Sequence, residues 1–382
     1  MSNDVSPLSD GREESAARPG FPVDSALFTD AYFLRAKRIL QAEGLDPQAT
    51  MQVFIRQGPG RVFGIDEAVG LLQRFSPLAE HGGAVFGLPE GSSYAPCEPL
   101  LHIEGRLQDF VELETLYLGA ISAATSLGNG EPAPDLEAVK ARAAAIRRLV
   151  GDRSLMYFGA RHWRWTWEER ISKAAVQGGF DACATDAGAR AAGLRAGVGT
   201  IPHALILAFA HKYGPERAGL EATLAFDRHI DAQIPRIALV DTFNREIDEA
   251  LAAAKALGPR LWGVRLDTAG ENVGQGGAPF DGRAYWTGPG VTVESARAVR
   301  DALRAAGFEK TRIALSSGFG DPAKVAAFVE AEKTHGRLFD SLGVGGLFPA
   351  RIATADVVRV EGREMGKKGR SYRPNPRFVR LL

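Results

Sequence analysis

The 382-residue chain is 45% hydrophobic and 24% charged, enough apolar material for a large core in two domains or in one barrel with an added module. Its 46 basic and 46 acidic residues cancel, so net charge points neither to nucleic acid nor to an anionic membrane, and any affinity for anions must be local. The two cysteines, Cys97 and Cys183, fit neither a metal spacing nor a disulfide framework, and no apolar run suits a membrane span or an export signal, so a cytoplasmic protein is expected.

Met1 to Gly20 is polar and predicts a disordered tail over residues 1–20. Helical spacing follows over Ala26 to Ala42, then a strand at Gln52 to Gln57, a helix at Ile65 to Phe75, and strands near Ala84 to Leu88 and Leu100 to Glu104. This interleaving predicts an α/β sandwich over residues 21–125. Phe110 to Ala124 reads as a helix, and a polar break leads to another ending at Val150. From Leu155 short apolar runs alternate with amphipathic helices: LMYFG, DACAT, RIALV, LWGVRL, RIALSS and SLGVGG are the strands. A repeated βα pattern over residues 126–350 predicts an irregular TIM-like (β/α) barrel. The Gly- and Pro-rich stretch from Gly270 to Pro289 must be a long loop, suited equally to a lid and to a plain insertion. The basic run from Arg359 to Leu382 predicts a solvated turn, with substrate steering the lesser alternative.

The candidate chemistry sits where barrel strands end. Asp241 and Asp267 close consecutive strands, with Arg265 two residues before the second. Phe158 and Arg161 offer an aromatic face and a guanidinium, suited to a flat, anionic ring. His203 opens a helix, where a cap or structural role competes with chemistry. Glycine-rich turns at Ser317-Gly318 and Gly345-Gly346 expose backbone N–H groups of the kind that grip a phosphate. The chain carries, in order, TDAY (29–32), EPLLHIEG (98–105), ETLYLG (114–119), FGAR (158–161), GTIPH (199–203), VDTFN (240–244), VRLDT (264–268), SSG (316–318) and GVGG (343–346).

Taken together, from about Thr29 to the C-terminus, these motifs resemble the nicotinate phosphoribosyltransferase family of the type II phosphoribosyltransferase fold. The resemblance implies synthesis of nicotinate mononucleotide and pyrophosphate from nicotinate and phosphoribosyl pyrophosphate, with Mg²⁺ and coupled to ATP hydrolysis, in NAD salvage. It implies that Phe158 stacks on the pyridine from one side and Tyr32, from the partner subunit of a homodimer with shared sites, from the other. Arg161 would hold anionic groups, Thr200 would sit in the substrate site, and Asp241, Arg265 and Asp267 would line the phosphoribose site, the two carboxylates also facing Mg²⁺. Ser317, Gly318, Gly345 and Gly346 would cradle the 5′-phosphate, and His203 would be the phosphohistidine. Residues 351–382 would return to the N-terminal domain.

Two departures stand out. The family usually continues the Arg265 strand as Asp-Ser-Gly-Asp, whereas here Asp267-Thr268-Ala269-Gly270-Glu271 leaves Glu271 as the replacement acid. The aromatic run His162 to Trp167 either alters the base pocket or packs the next helix. The rivals are a decarboxylating quinolinate phosphoribosyltransferase, which needs more cationic groups than Arg161, His162 and Arg164, and a non-catalytic nucleotide-binding paralogue, which should have lost Asp241, Asp267 or His203. An isomerase or aldolase barrel would need a catalytic Lys or Glu at a strand end, and Lys255 falls mid-helix.

Overall fold

The structure, a computed structural model, describes residues 20–382, so the predicted tail lies outside the described residues except for Gly20. Helix α1 (Ala31–Ala42) is followed by strands β1 (Gln48–Ile55) and β2 (Gly60–Arg61), helix α2 (Ile65–Phe75), strands β3 (Ala84–Gly87), β4 (Ser93–Tyr94) and β5 (Pro99–Arg106), then helices α3 (Leu107–Phe110) and α4 (Glu114–Gly128). Helix α5 (Leu136–Val150) leads into β6 (Ser154–Tyr157), α6 (Glu168–Gln177), β7 (Ala182–Cys183), α7 (Asp186–Ala191), α8 (His203–Tyr213) and α9 (Pro215–His229). Next come β8 (Arg236–Leu239), α10 (Glu246–Leu257), β9 (Leu261–Leu266), α11 (Val293–Ala305), β10 (Arg312–Leu315), α12 (Pro322–His335) and β11 (Ser341–Val344). Strands β12 (Ala353–Val360), β13 (Arg363–Glu364) and β14 (Val379–Arg380) end the chain.

Local chemistry fixes many of these boundaries. Asp135 accepts hydrogen bonds from Glu137 and Ala138 at the start of α5. Thr292 and Ser295 cap each other's backbone at α11. Asp321 caps α12, with Pro322 in its first turn. At the other end of α10, Gly258 has φ of 53°, a left-handed conformation that halts the helix.

Two sheets organise the molecule. The first is antiparallel, in the order β13-β12-β1-β5-β3-β14, with β1 buried at all but its first residue. The second is parallel, in the order β7-β6-β11-β10-β9-β8. In chain order these six strands circle round until the last, β11, pairs with the first, β6. The circle stays open because β7 and β8 do not pair. The TIM-like barrel expected from the sequence is therefore a six-stranded open barrel. The physical reason is visible in the connection: β7 has two residues, after which helices α8 and α9 leave the barrel and join the apolar core of the N-terminal sheet. Asp30 forms an antiparallel bridge with Thr185 just beyond β7, and the Ala31 N–H donates to the Ala184 carbonyl at 2.8 Å.

The buried residues fall into two clusters. One joins the N-terminal helices and sheet to α8, α9 and β12, and the other fills the barrel and its outer helices. The contiguous 126–350 block of the sequence reading is thus crossed by α8 and α9. Strand β12, which sequence reasoning missed, runs antiparallel to β1 from Ala353 opposite Ile55 to Val360 opposite Ala49.

Candidate active site

A cavity of about 440 Å³ lies between the sheets at the C-terminal ends of the parallel strands, where barrel chemistry is expected. Of the parallel strands, β6, β9, β10 and β11 deliver parts of its wall.

After β6, the Phe158 N–H donates to the Val344 carbonyl at 2.8 Å, fixing the ring against β11. A Cβ on Gly343 would lie 2.5 Å from that ring, so glycine is required for Phe158 to lie there. Arg161 lies in a single 3₁₀ turn, Ala160–His162, and donates through one nitrogen to Tyr32 Oη at 2.7 Å and to Glu114 Oε1 at 3.0 Å. Burial opposes its charge, but Tyr32, Asp30 and Glu114 hold the guanidinium above its ordinary range. Burial pushes Glu114 up to about 8 against the pull of Arg161. Burial, then Arg161, pushes the His162 imidazole down to about 3, so it is neutral at physiological pH. The rest of the aromatic run packs away from the cavity: Trp163 is buried against Phe348, Trp165 meets Phe28, and Arg164 pairs with Glu67.

After β10, Ser317 (φ 74°) and Gly318 (φ 82°) are successive left-handed residues that bend the backbone into a cradle. The buried Lys324 Nζ donates to the Ser317 carbonyl at 2.8 Å. Its own burial pushes that ammonium down to about 8, with Asp267 and Asp321 acting the other way. Ser317, Gly318, Gly345 and Gly346 all line the cavity, so both turns face one space.

Between these ends lie His203, Arg265 and Asp267. His203 Nδ1 is 2.9 Å from Thr242 Oγ1, and its Nε2 is 3.4 Å from Asp267 Oδ2 and 3.7 Å from Asp241 Oδ2. Arg265 is buried and donates to the Ile201 carbonyl at 3.1 Å, while its Nε has no hydrogen-bond partner. Burial acts to raise the Asp267 carboxyl, but Lys367, His203 and Arg265 hold it well below the usual carboxylate range.

Lys367 is the residue that sequence reasoning missed. Its Nζ is 2.7 Å from Asp241 Oδ2, 2.7 Å from the Asp267 carbonyl oxygen and 2.9 Å from His203 Nε2. Arg370, three residues on, is held by Asp356 at 2.7 Å and Glu271 at 2.5 Å, and also lines the cavity. Within the C-terminal basic run, Lys367 and Arg370 are therefore drawn into the cavity wall, while Arg363, Lys368, Arg373, Arg377 and Arg380 are exposed as expected of a solvated turn. Glu271, the expected replacement acid, instead pairs with Arg370 and Arg56.

Three placements differ from expectation. Tyr32, expected from a partner subunit, meets Arg161 of its own chain. Thr200 is buried between Gly199, which packs on Tyr32, and Ile201, and does not line the cavity. Asp241 is fully buried behind Lys367 and does not line it either. This arrangement does not fit a divalent cation held directly between Asp241 and Asp267, because the ammonium already lies beside Asp241 and the Asp267 backbone. Among the described residues no group of three or more His, Cys, Asp or Glu could hold a metal ion.

An open parallel barrel joined to an antiparallel module, with an aromatic–guanidinium pocket facing two glycine-rich turns, defines a class: the chain has the type II phosphoribosyltransferase fold. Residues 30–125 match the family model of the quinolinate phosphoribosyl transferase N-terminal domain. The structure resembles nicotinate phosphoribosyltransferase from Porphyromonas gingivalis, with a TM-score of 0.65 at 15% identity over 91% of this chain and 93% of that one. For the nicotinate phosphoribosyltransferase from Vibrio cholerae the TM-score is 0.67 at 15% identity, over 90% and 88%. A nicotinate-nucleotide pyrophosphorylase from Pyrococcus furiosus shares 29% identity over 94% of this chain and 82% of that one, with a TM-score of 0.46. No curated protein matches the chain significantly in sequence. Among the described residues no helix is long and apolar enough to cross a membrane.

Proposed function

We propose that the protein is a nicotinate phosphoribosyltransferase of NAD salvage, joining nicotinate to phosphoribosyl pyrophosphate with release of pyrophosphate, coupled to ATP hydrolysis and working as a homodimer. The observation that carries this reading is one cavity with a ring pocket, Phe158 with Arg161, facing a backbone cradle, Ser317-Gly318 with Gly345-Gly346. Loss of pyrophosphate from C1 builds positive charge on the ribose, which an ionised Asp267 stabilises from a fixed position. Arg265, with its free Nε, suits a phosphate. The pyridine nitrogen is already nucleophilic, so no general base is required. Mg²⁺ belongs to the reading as a companion of the diphosphate. His203 lines the same cavity and is the group proposed to take a phosphoryl from ATP.

The N-terminal family match favours a second reading, the decarboxylating quinolinate enzyme. A second ring carboxylate needs a second cation beside Phe158, yet His162 is neutral and Arg161 is already shared by Tyr32 and Glu114. The nicotinate reading is therefore preferred.

The test is the rate of pyrophosphate release with nicotinate, with and without ATP, in wild type and His203→Ala. Stimulation by ATP that vanishes in the variant supports the reading. A rate independent of both would remove ATP and His203 from it.

A further inference from the structure

Asp241 carries a carboxylate with no exposed surface, and a buried charge of that kind must be compensated on the spot. Its compensation comes from far along the chain. Lys367 Nζ makes an ion pair with Asp241 Oδ2 at 2.7 Å and hydrogen bonds with the Asp267 carbonyl oxygen at 2.7 Å and His203 Nε2 at 2.9 Å, while neither Asp241 oxygen has a hydrogen-bond partner. Carboxylate oxygen, carbonyl oxygen and imidazole nitrogen are also the donor types that a divalent metal takes, and the Asp267 carboxylate stands 3.4 Å from the same imidazole nitrogen.

We propose that Lys367 serves as a built-in cation between Asp241, Asp267 and His203, in place of a divalent metal. The free protein then holds no metal at this carboxylate pair. Any divalent ion used in turnover arrives and leaves on the phosphorylated substrate, a consequence that rests on the proposed function.

The lysine is fixed in place by its surroundings. The Lys368 N–H donates to the Thr242 carbonyl at 2.8 Å, and Asn272 Nδ2 donates to the Lys368 carbonyl at 2.5 Å. On the far side, Arg370 is anchored on Asp356 and Glu271. Only 7% of the Lys367 side chain is exposed, so the ammonium is part of the wall rather than a mobile surface charge. Arg265, which also holds the Asp267 carboxyl down, has its guanidinium engaged with the Ile201 carbonyl.

The experiment is a Mn²⁺ titration of the free, full-length protein, without pyridine, phosphoribosyl or nucleotide ligands, read by electron paramagnetic resonance of unbound Mn²⁺. Wild type and Lys367→Arg should take up no Mn²⁺ at this site. Lys367→Ala should open it and bind Mn²⁺ at least on the order of tenfold more tightly than wild type, and adding Asp241→Asn should abolish the gain. Uptake by wild type that Asp241→Asn or Asp267→Asn removes would overturn the proposal, as would a folded Lys367→Ala protein no better than wild type. If Lys367→Ala does not fold, the wild-type, Asp241→Asn and Asp267→Asn titrations decide the matter. No arm contains a substrate, so failure of the proposed reaction and failure of this inference are read separately.

Discussion

Gly343 and Phe158 show how a single missing side chain shapes the ring pocket. The glycine opposes Met156 in the β6–β11 ladder, and any Cβ there would strike the Phe158 ring. Gly343→Ala is predicted to displace the ring, raising KM for nicotinate while leaving KM for phosphoribosyl pyrophosphate near its wild-type value. Phe158→Ala should show the same split, with a loss of about 1–3 kcal/mol if the ring stacks on the pyridine. A rise confined to phosphoribosyl pyrophosphate in steady-state kinetics would show that Phe158 serves the other substrate. At this scale Phe158, Asp241, Arg265 and Asp267 were legible because an apolar run ends beside each of them. Lys367 was not, because its contact with His203 spans 164 residues and its neighbours in sequence are simply basic.

The packing of α9 on α10 carries a pH-dependent contribution of its own. Glu249 is buried with both carboxyl oxygens lacking a hydrogen-bond partner, and Gly219 of α9 leaves the space it occupies. Burial, reinforced by Asp241, pushes Glu249 up to about 9, with Arg245 acting the other way. In the folded state it therefore keeps its proton at neutral pH, while in the unfolded chain it ionises near 4.5. The folded state binds the extra proton, so this contribution to stability is full below about 4.5 and falls as pH rises towards about 9. Glu249→Gln should flatten that part of the slope, and thermal unfolding of variant against wild type should favour the variant increasingly from pH 6 to pH 9. Parallel curves would contradict the assignment. The helices themselves were readable from caps and spacing; α2 spans Ile65–Phe75 and α5 ends at Val150, where the spacing placed them. What could not be read was allegiance, because an amphipathic helix records that it has a buried face but not which sheet covers it, and α8 and α9 cover the N-terminal one.

At the scale of the whole molecule, the last part of the chain ties the two cores together. Strand β12 joins the N-terminal sheet, β14 pairs with β3, and between them Lys367 reaches the end of the barrel strands. Truncation before Gly366 removes the counter-charge of Asp241, and breaking such a buried pair costs about 3–5 kcal/mol. A large fall in Tm is expected, and an unchanged Tm would show that the tie is dispensable. The βα repeat was legible because parallel strands buried on both sides read as apolar runs. The open seam was not, because strand pairing between β7 and β8 leaves no periodic signal when one partner has two residues.

On the proposed function this cavity joins a pyridine monocarboxylate to a phosphoribosyl group. The most direct measurement offers the protein nicotinate, nicotinamide and quinolinate together with phosphoribosyl pyrophosphate, Mg²⁺ and ATP, with each pyridine isotopically distinct, and identifies the nucleotide by mass. The expected product is nicotinate mononucleotide carrying the nicotinate label. Product carrying the quinolinate or nicotinamide label, or no nucleotide at all, would contradict it.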